Sequence, residues 1–375
     1  MTAPARAVDA DPLARLQREV ERTMLRTRNG LRLLGGERFV RTGPSLKDVV
    51  WRARKAELWR YRPLAPLAWR TPVLLYIGLV SRSYVVDLHE GNSLVERLLR
   101  AGFDVFVLDW GVPDEADAGN GLDVYALELL PRAIRATLRA SGGREVNLMA
   151  YCMGGCLTLM MMGARGDLPI RSLLTMATPV DYRRMGEFYQ PLVEGRVDAA
   201  KVVDETGNVP AGTIHGTVRV RRPTGDLVQY ANLWEHLWNE DWLEGFQSMR
   251  EWVADHIPFP GAAFRDVYRE WLVGNGFMAG TLTFGGRRVD LGLIACPTLC
   301  LVAEHDEMVP LAAASPLPAL LTGVRARTEV IRSGHVSLVC GRGMERKTLP
   351  VMLEWLRSNA DPVGGSPTLG EGEAG

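Results

Sequence analysis

The pattern of hydrophobic and polar positions alternates along the chain between segments typical of strands and segments typical of helices. The order of these segments predicts the architecture. Short apolar runs bounded by Gly, Pro or Asp predict buried strands. These runs are Val73–Ile77, Val105–Leu108, Val146–Met149 and Leu173–Met176. Segments with a helical period, Ser93–Ala101 and Tyr125–Ala140, lie between them. This alternation resumes near Ile294, ends with a helix at Lys347–Arg357, and predicts a mostly parallel sheet with helices on both faces.

One long segment breaks this rhythm. Residues 182–290 carry five tryptophans, Trp234, Trp238, Trp242, Trp252 and Trp271, and have no regular strand pattern. We interpret the segment as a cap inserted between core strands. The predicted division is therefore an N-terminal tail with an amphipathic helix (1–45), a core (46–181 and 291–360), the cap (182–290) and a disordered tail (361–375).

Composition narrows the classes of function. The chain has 375 residues with 44 basic and 44 acidic side chains, so its net charge gives no reason to expect nucleic acid as a partner. Its five cysteines are an odd number in apolar settings, which favours a reducing, cytoplasmic compartment over a disulfide framework. We expect no secretory peptide, no membrane span, no metal site and no resident cofactor, because the corresponding motifs are missing.

The most informative motif surrounds Cys152. The strand ending at Met149 leads into Ala150-Tyr-Cys152-Met-Gly154-Gly155 and then into an apolar helical run. Strand, sharp turn and helix form the setting of the G-x-S-x-G nucleophile elbow of α/β-hydrolases, here as A-x-C-x-G. The turn needs small residues two positions before and after the nucleophile, which Ala150 and Gly154 provide. Cys152 is thus the candidate nucleophile; the alternative is a buried structural cysteine.

Two further candidates follow in the α/β-hydrolase order of nucleophile, acid and histidine. Asp306 comes just after the predicted strand that ends at Ala303, and His335 comes after the strand that ends at Ile331. The carboxyl ends of parallel strands meet at one edge, where ligands gather. The residue types leave Glu304 and Glu307 open as alternative acids and His305 as a rival base.

Segments spread over residues 46–358 resemble poly(3-hydroxyalkanoate) synthases. They are Pro72–Leu88, Ser93–Val95, Gly102–Gly111, Asn147–Gly155, Thr175–Asp181, Asp255–Phe259, Asn275 and Gly285–Gly286, and Asp306 and Gly334–His335 fall on the acid and base of that family. The length and the first loop are most similar to the class III catalytic subunit, which works with a separate second subunit. Ala150, Glu307 and Ser83 depart from residues common in the family, and none of these departures removes a catalytic group.

The resemblance implies an acyltransferase that polymerises (R)-3-hydroxyacyl-CoA with release of CoA through a covalent acyl-cysteine. Cys152 would be the nucleophile, His335 the base and Asp306 the group that orients His335 and helps activate the attacking hydroxyl. The backbone amides of Met153 and Val80 are the expected oxyanion hole. Cysteine suits synthesis because thioester exchange is near energy-neutral and transfer to an alcohol is downhill.

The expected partners are hydroxyacyl-CoA, the growing polyester and a second synthase subunit, with a second copy of the chain as a further candidate. The expected location is the cytoplasm at polyester granules. Two other functions stay open from the sequence. One is a cysteine-based hydrolase acting as a polyester depolymerase or thioesterase, and the other is a non-catalytic granule-associated protein.

Overall fold

The computed structural model describes residues 12–37, 41–220 and 232–364. Their centre is an eight-stranded sheet in the order β1-β2-β4-β3-β5-β6-β7-β8. The strands are β1 Lys47–Ala53, β2 Ala56–Tyr61, β3 Val73–Tyr76, β4 Val105–Asp109, β5 Val146–Tyr151, β6 Ile170–Met176, β7 Thr298–Ala303 and β8 Ala326–Ile331. Strand β2 pairs antiparallel with β1 and β4, and all other neighbours pair parallel.

The predicted fold class is confirmed, and each predicted strand occurs within a few residues of its expected bounds. Strands β3, β4, β5 and β7 are buried along their whole length, which explains their continuous apolar sequences. The sequence pattern missed β1 and β2. Strand β1 is mostly exposed and has polar residues among its apolar ones, so it lacks the continuous apolar run of a central strand.

Helices flank the sheet and fill the connections between strands. The described helices are Pro12–Leu34, Leu94–Arg100, Leu130–Ser141, Met153–Ala164, Gln190–Val193, Ala211–Val220, Glu240–Ala254, Gly261–Asp266, Gly276–Ala279, Leu311–Ala314, Leu317–Leu320, Gly341–Gly343 and Leu349–Ser358, together with a short one at 232–236. Wider helical turns at Val124–Leu129 and Met344–Thr348 lengthen two of them at their N-terminal ends. Ser93 caps the helix Leu94–Arg100 by accepting a hydrogen bond from the Glu96 amide.

Residues 182–290 contribute no strand to the main sheet in the part of the chain that the structure describes. They form helices and two short antiparallel ladders, Asn208–Val209 with Phe259–Pro260 and Thr283–Phe284 with Arg287–Arg288. The division into a core and an inserted cap stays a prediction.

The sequence predicted the helix near the N-terminus correctly but not the structure of residues 361–363 near the C-terminus. The amphipathic helix predicted within the N-terminal tail is present as Pro12–Leu34. Residues 361–363, which we expected to begin a disordered tail, are instead held by backbone hydrogen bonds. The Asp361 carbonyl accepts from the Arg70 amide at 2.7 Å, and the Val363 amide donates to Ala68 at 2.9 Å. Residues 365–375 of that predicted tail lie outside the described residues.

No helix among the described residues is both long and apolar enough to cross a membrane.

Candidate active site

The backbone at Cys152 has an unusual conformation. Its φ of 54° and ψ of −121° lie in a region that a non-glycine residue rarely adopts. The Cys152 amide donates to the Met176 carbonyl of β6 at 2.7 Å, and the Cys152 carbonyl accepts from the Gly155 amide at 3.0 Å. These two bonds hold the strained turn between β5 and the helix Met153–Ala164, where the Cys152 side chain is partly exposed.

The small residues around this turn have a steric reason. A Cβ atom on Gly154 would lie 3.0 Å from the Ile77 carbonyl oxygen, and one on Gly155 would lie 1.9 Å from the Thr178 hydroxyl oxygen. The helix after Cys152 therefore packs directly against the end of β3 and the loop after β6. The need for small residues that the motif predicts has a physical cause at Gly154 and Gly155.

Asp306 and His335 lie together, as their order in the sequence predicts. They follow the adjacent parallel strands β7 and β8, and His335 Nδ1 lies 2.7 Å from Asp306 Oδ2. The other carboxylate oxygen, Oδ1, accepts from the amides of Met308 and Val309 at 2.8 and 2.7 Å. The Asp306 side chain is fully buried, so three hydrogen bonds fix its position and that of the His335 ring.

The Cys152 side chain lies close enough to His335 for its charge to act on the pKa of the ring. The Cys-His-Asp triad stays a prediction. Burial alone would lower the pKa of His335, but neighbouring charges and hydrogen bonds have a larger effect in the opposite direction. The negative charge of a Cys152 thiolate, the hydrogen bonds to Asp306 and Cys152, and the charge of Asp306 together raise the pKa of His335 from 6.5 to about 10. These effects favour the charged imidazolium form of His335.

The rival residues do not join this arrangement. The His305 side chain is 61% exposed and lies 3.7 Å from Glu304, on the solvent side of the loop after β7. Glu304 and Glu307 are also exposed. Of the alternatives left open by the sequence, Asp306 and His335 are therefore the pair that the structure brings together.

Tyr151 is a site residue that the sequence reasoning missed. Its ring lies 4.9 Å from that of His335 at an angle of 41°, and it is buried. Burial, followed by the nearby charges of Cys152 and Asp306, raises the pKa of the Tyr151 phenol well above its ordinary value, so the phenol stays neutral. Its place as the variable residue in A-x-C-x-G gave no signal of a contact with His335.

The two candidate oxyanion donors lie on segments that touch. Met153 begins the helix after Cys152, and a Cβ atom on Gly78 would lie 2.8 Å from the Met153 Cβ. Within the described residues, neither the Met153 nor the Val80 amide donates to another backbone carbonyl outside regular helices and strands. An amide that is not used inside the protein can bind a substrate oxygen. The oxyanion hole stays a prediction.

Residues 252–257 fasten the loop that carries Val80. The Ile257 amide donates to the Val80 carbonyl at 3.4 Å, and the Trp252 indole donates to the Arg82 carbonyl at 2.9 Å. Asp255 accepts from the Tyr84 hydroxyl at 3.2 Å and lies 3.5 Å from Arg82 Nε. We call Trp252, Asp255 and Ile257 the loop clamp. Sequence reasoning did not anticipate it, although Asp255–Phe259 is one of the segments that carry the resemblance.

The described residues contain no cluster of three or more His, Cys, Asp or Glu side chains suited to hold a metal ion.

Comparison with known proteins shows the superfamily to which the chain belongs. The family model described as "alpha/beta hydrolase fold" matches residues 71–339, so the chain belongs to the α/β-hydrolase superfamily. An esterase from Thermogutta terrifontis aligns with 85% of this chain and all of its own, at 17% identity and a TM-score of 0.48.

Curated relatives then define the family. The chain is 32% identical over 332 residues to "Poly(3-hydroxyalkanoate) polymerase subunit PhaC" from Allochromatium vinosum, covering 87% of this chain and 92% of that protein. The protein of the same name from Thiocystis violacea is 31% identical over 324 residues, covering 85% of this chain and 90% of that protein. The chain belongs to the poly(3-hydroxyalkanoate) polymerase family, and the resemblance inferred from the sequence is confirmed.

The raised pKa of His335 makes stability depend on pH. Below pH 6.5, the ordinary pKa, the ring is charged in the folded and unfolded chain, and its full stabilisation is present. Above that pH the unfolded chain loses the proton first, so the stabilisation is lost as the pH rises through about 10. The free energy of unfolding in urea should therefore fall with pH in this window, and His335→Gln should remove that part of the slope. An unchanged slope in the variant would contradict the charged pairing.

Proposed function

We propose that this protein is an acyltransferase that polymerises (R)-3-hydroxyacyl-CoA and releases CoA. The observation that carries the proposal is the strained turn at Cys152, together with the contact of His335 Nδ1 with Asp306 Oδ2 at 2.7 Å. It occurs in a chain 32% identical to a PhaC polymerase subunit over 92% of that protein. The fold alone would suit many reactions, so the proposal depends on the site and the family together.

The first half-reaction loads the enzyme. His335 Nε2 takes the thiol proton, and the Cys152 thiolate attacks the thioester carbonyl carbon to form a tetrahedral oxyanion. The oxyanion accepts hydrogen bonds from the Met153 and Val80 amides. When the oxyanion collapses, the bond to the CoA sulfur breaks and His335 returns its proton to that sulfur. The products are free CoA and an acyl-Cys152 thioester, so no oxidant or cofactor is needed.

The second half-reaction extends the polymer. The hydroxyl of another hydroxyacyl group attacks the acyl-Cys152 carbonyl, and His335 takes the hydroxyl proton and then returns it to the Cys152 sulfur. Asp306 holds the His335 ring in the required orientation and stabilises its charged form, and it helps activate the hydroxyl. Loading exchanges one thioester for another, whereas this step makes an oxoester and drives the cycle towards synthesis.

The proposal includes partners and a location. Hydroxyacyl-CoA is the substrate, the growing polyester is the second reactant, and no resident cofactor or metal takes part. A separate second subunit would raise activity by binding an open form of the cap formed by residues 182–290. We propose that the protein works in the cytoplasm at the surface of polyester granules.

Replacement of the nucleophile tests the proposal directly. Cys152→Ser should lose polymer formation by at least about a thousandfold, because a hydroxyl is a poorer nucleophile and an acyl-serine removes the downhill second step. The measurement follows CoA release and polymer yield together from 3-hydroxybutyryl-CoA. His335→Ala should be comparably inactive, and His305→Ala, a matched control, should keep most activity.

Three outcomes of this assay count against the proposal. CoA release with free hydroxy acid and no polymer would make the unmodified protein a hydrolase. Granule binding without turnover would make it a non-catalytic granule protein. Near-normal polymer formation by a folded Cys152→Ser variant would exclude the mechanism.

The loop clamp should affect acylation without affecting thiol reactivity. Trp252→Phe keeps an aromatic ring but removes the indole N–H that donates to the Arg82 carbonyl, so the Val80 loop should lose part of its alignment. We expect kcat/KM for the thioester to fall about three- to tenfold, the value of about one hydrogen bond. Alkylation of Cys152 by iodoacetamide needs no oxyanion hole and should be unchanged.

Trp242→Phe is the matched control for the clamp because Trp242 lies on the same helix, Glu240–Ala254, but stacks on His236 and Phe246. It should alter neither rate. Equal loss of acylation and alkylation in Trp252→Phe would mean general disturbance of the site and would contradict a role in positioning the oxyanion loop.

A further inference from the structure

The residue directly before Cys152 also contacts the candidate base. Tyr151 is the last residue of β5, and its ring centroid lies 4.9 Å from that of His335 with 41° between the two planes. Two consecutive residues, Tyr151 and Cys152, thus supply the ring that packs on His335 and the candidate nucleophile. The mechanism proposed above uses Cys152 and His335 but gives Tyr151 no task.

Tyr151 is held firmly by the central sheet. It pairs with Met176 of β6, and β5 is buried along its whole length. The next amide along the chain, that of Cys152, donates to the Met176 carbonyl at 2.7 Å. The backbone of Tyr151 is therefore restrained on both sides, and its ring, which is only 4% exposed, presents a rigid surface to His335.

His335 has fewer restraints of its own. It lies four residues beyond the end of β8 and precedes the short helical turn Val336–Leu338, so no strand holds its backbone. Its ring is held at one atom by the contact of Nδ1 with Asp306 Oδ2. A hydrogen bond at one atom leaves the ring able to tilt about that bond. The neighbouring ring of Tyr151 restricts this tilt, because the two rings are in contact over one face.

The contact depends on the ring of Tyr151 and not on its hydroxyl group. Among the described residues, the Tyr151 hydroxyl is buried and has no hydrogen-bond partner. A buried hydroxyl without a partner costs free energy, so this group gives no support to the position of His335. An aromatic ring does attract a cation close to its face. The ring of Tyr151 therefore also favours the charged form of His335.

We propose that Tyr151 is a positioning residue for His335, whose ring limits the tilt of the imidazole and keeps Nδ1 on Asp306. The inference rests on the proposed function, because proton transfer through His335 requires a defined orientation of that ring. Tyr151 takes no proton in the reaction, since its phenol is buried. A misplacement of about 1 Å at a reacting group costs on the order of a hundredfold in rate.

Proton NMR of the full chain tests the positioning without any turnover. The proton between His335 Nδ1 and Asp306 should give a resonance far downfield, and His335→Gln, which removes it, assigns the signal. In Tyr151→Leu this proton should exchange with water about tenfold faster, the value of one aromatic contact. Tyr151→Met, another side chain without a ring, should behave in the same way. Tyr151→Phe keeps the ring and should keep the resonance.

The kinetics of CoA release from 3-hydroxybutyryl-CoA give a second readout. Tyr151→Leu should lower kcat about ten- to a hundredfold. KM should stay within about twofold, because Tyr151 does not contact the substrate. Tyr151→Phe should recover most of the lost kcat.

Phe103→Leu is the matched control for loss of a core ring. Phe103 is fully buried and stacks on Trp69 at 5.6 Å, and it precedes β4, at the sheet edge opposite to the site. This variant should lose stability but keep both the downfield resonance and kcat.

Four outcomes would overturn the proposal. They are the absence of the downfield resonance in the unmodified protein, unchanged proton exchange in a folded Tyr151→Leu or Tyr151→Met variant, loss of the resonance in Tyr151→Phe, and an equal effect of Phe103→Leu. Loss in Tyr151→Phe would assign the effect to the hydroxyl. If the unmodified protein releases no CoA, the proposed function fails, and the NMR measurement alone decides the role of Tyr151.

Discussion

The site depends on one strained turn. Cys152 has a positive φ that costs free energy for any residue with a Cβ atom, so the conformation persists only because its surroundings impose it. The buried strands β5 and β6 supply one anchor through the bond from the Cys152 amide to Met176. The helix Met153–Ala164 supplies the other, and it packs closely because Gly154 and Gly155 have no side chains. The turn places Cys152 at the junction of β5 and this helix, where its side chain is partly exposed.

The order of the strands in the sheet brings Asp306 and His335 to the same edge as Cys152. Strands β5, β6, β7 and β8 are parallel neighbours, so the segments that follow them emerge at one edge. Asp306 is buried there and held by two backbone amides, and it fixes the His335 ring by a third hydrogen bond. The charges at Cys152 and Asp306 both raise the pKa of His335 and favour its protonated form. A rigid core thus sets the geometry of groups that lie about 150 to 180 residues apart in the chain.

Much of this could be predicted because the responsible signals are local. The strands β3, β4, β5 and β7 are continuous apolar runs, and Cys152 lies in a motif whose turn constrains its neighbours. The choice of His335 over His305 needed only the order of strands and the resemblance. Strand β1 could not be seen because its exposure breaks the apolar pattern. Strand β2 has no exposed residue, but Glu57 and Arg60 interrupt its apolar run.

The features that escaped prediction are long-range contacts. Trp252 reaches Arg82 across 170 positions, and no local pattern marks that hydrogen bond. The apolar residues of the helix Pro12–Leu34 follow a clear helical period, but the period cannot tell which side of the helix faces the protein. That orientation follows from polar contacts such as Asn29 with Leu237, which are 208 positions apart. The backbone hydrogen bonds that fix residues 361–363 likewise come from a distant segment, at Ala68 and Arg70.

The central claim is that Cys152 carries the acyl group and that Asp306 matters most afterwards. The most direct measurement is the intact mass of an Asp306→Asn variant mixed with 3-hydroxybutyryl-CoA, followed by peptide mapping. The account predicts that the protein gains the mass of one hydroxybutyryl group, that the group maps to Cys152, and that polymer formation is slow enough for the adduct to accumulate. Acylation that maps to another residue, or a complete loss of acylation together with elongation, would contradict it.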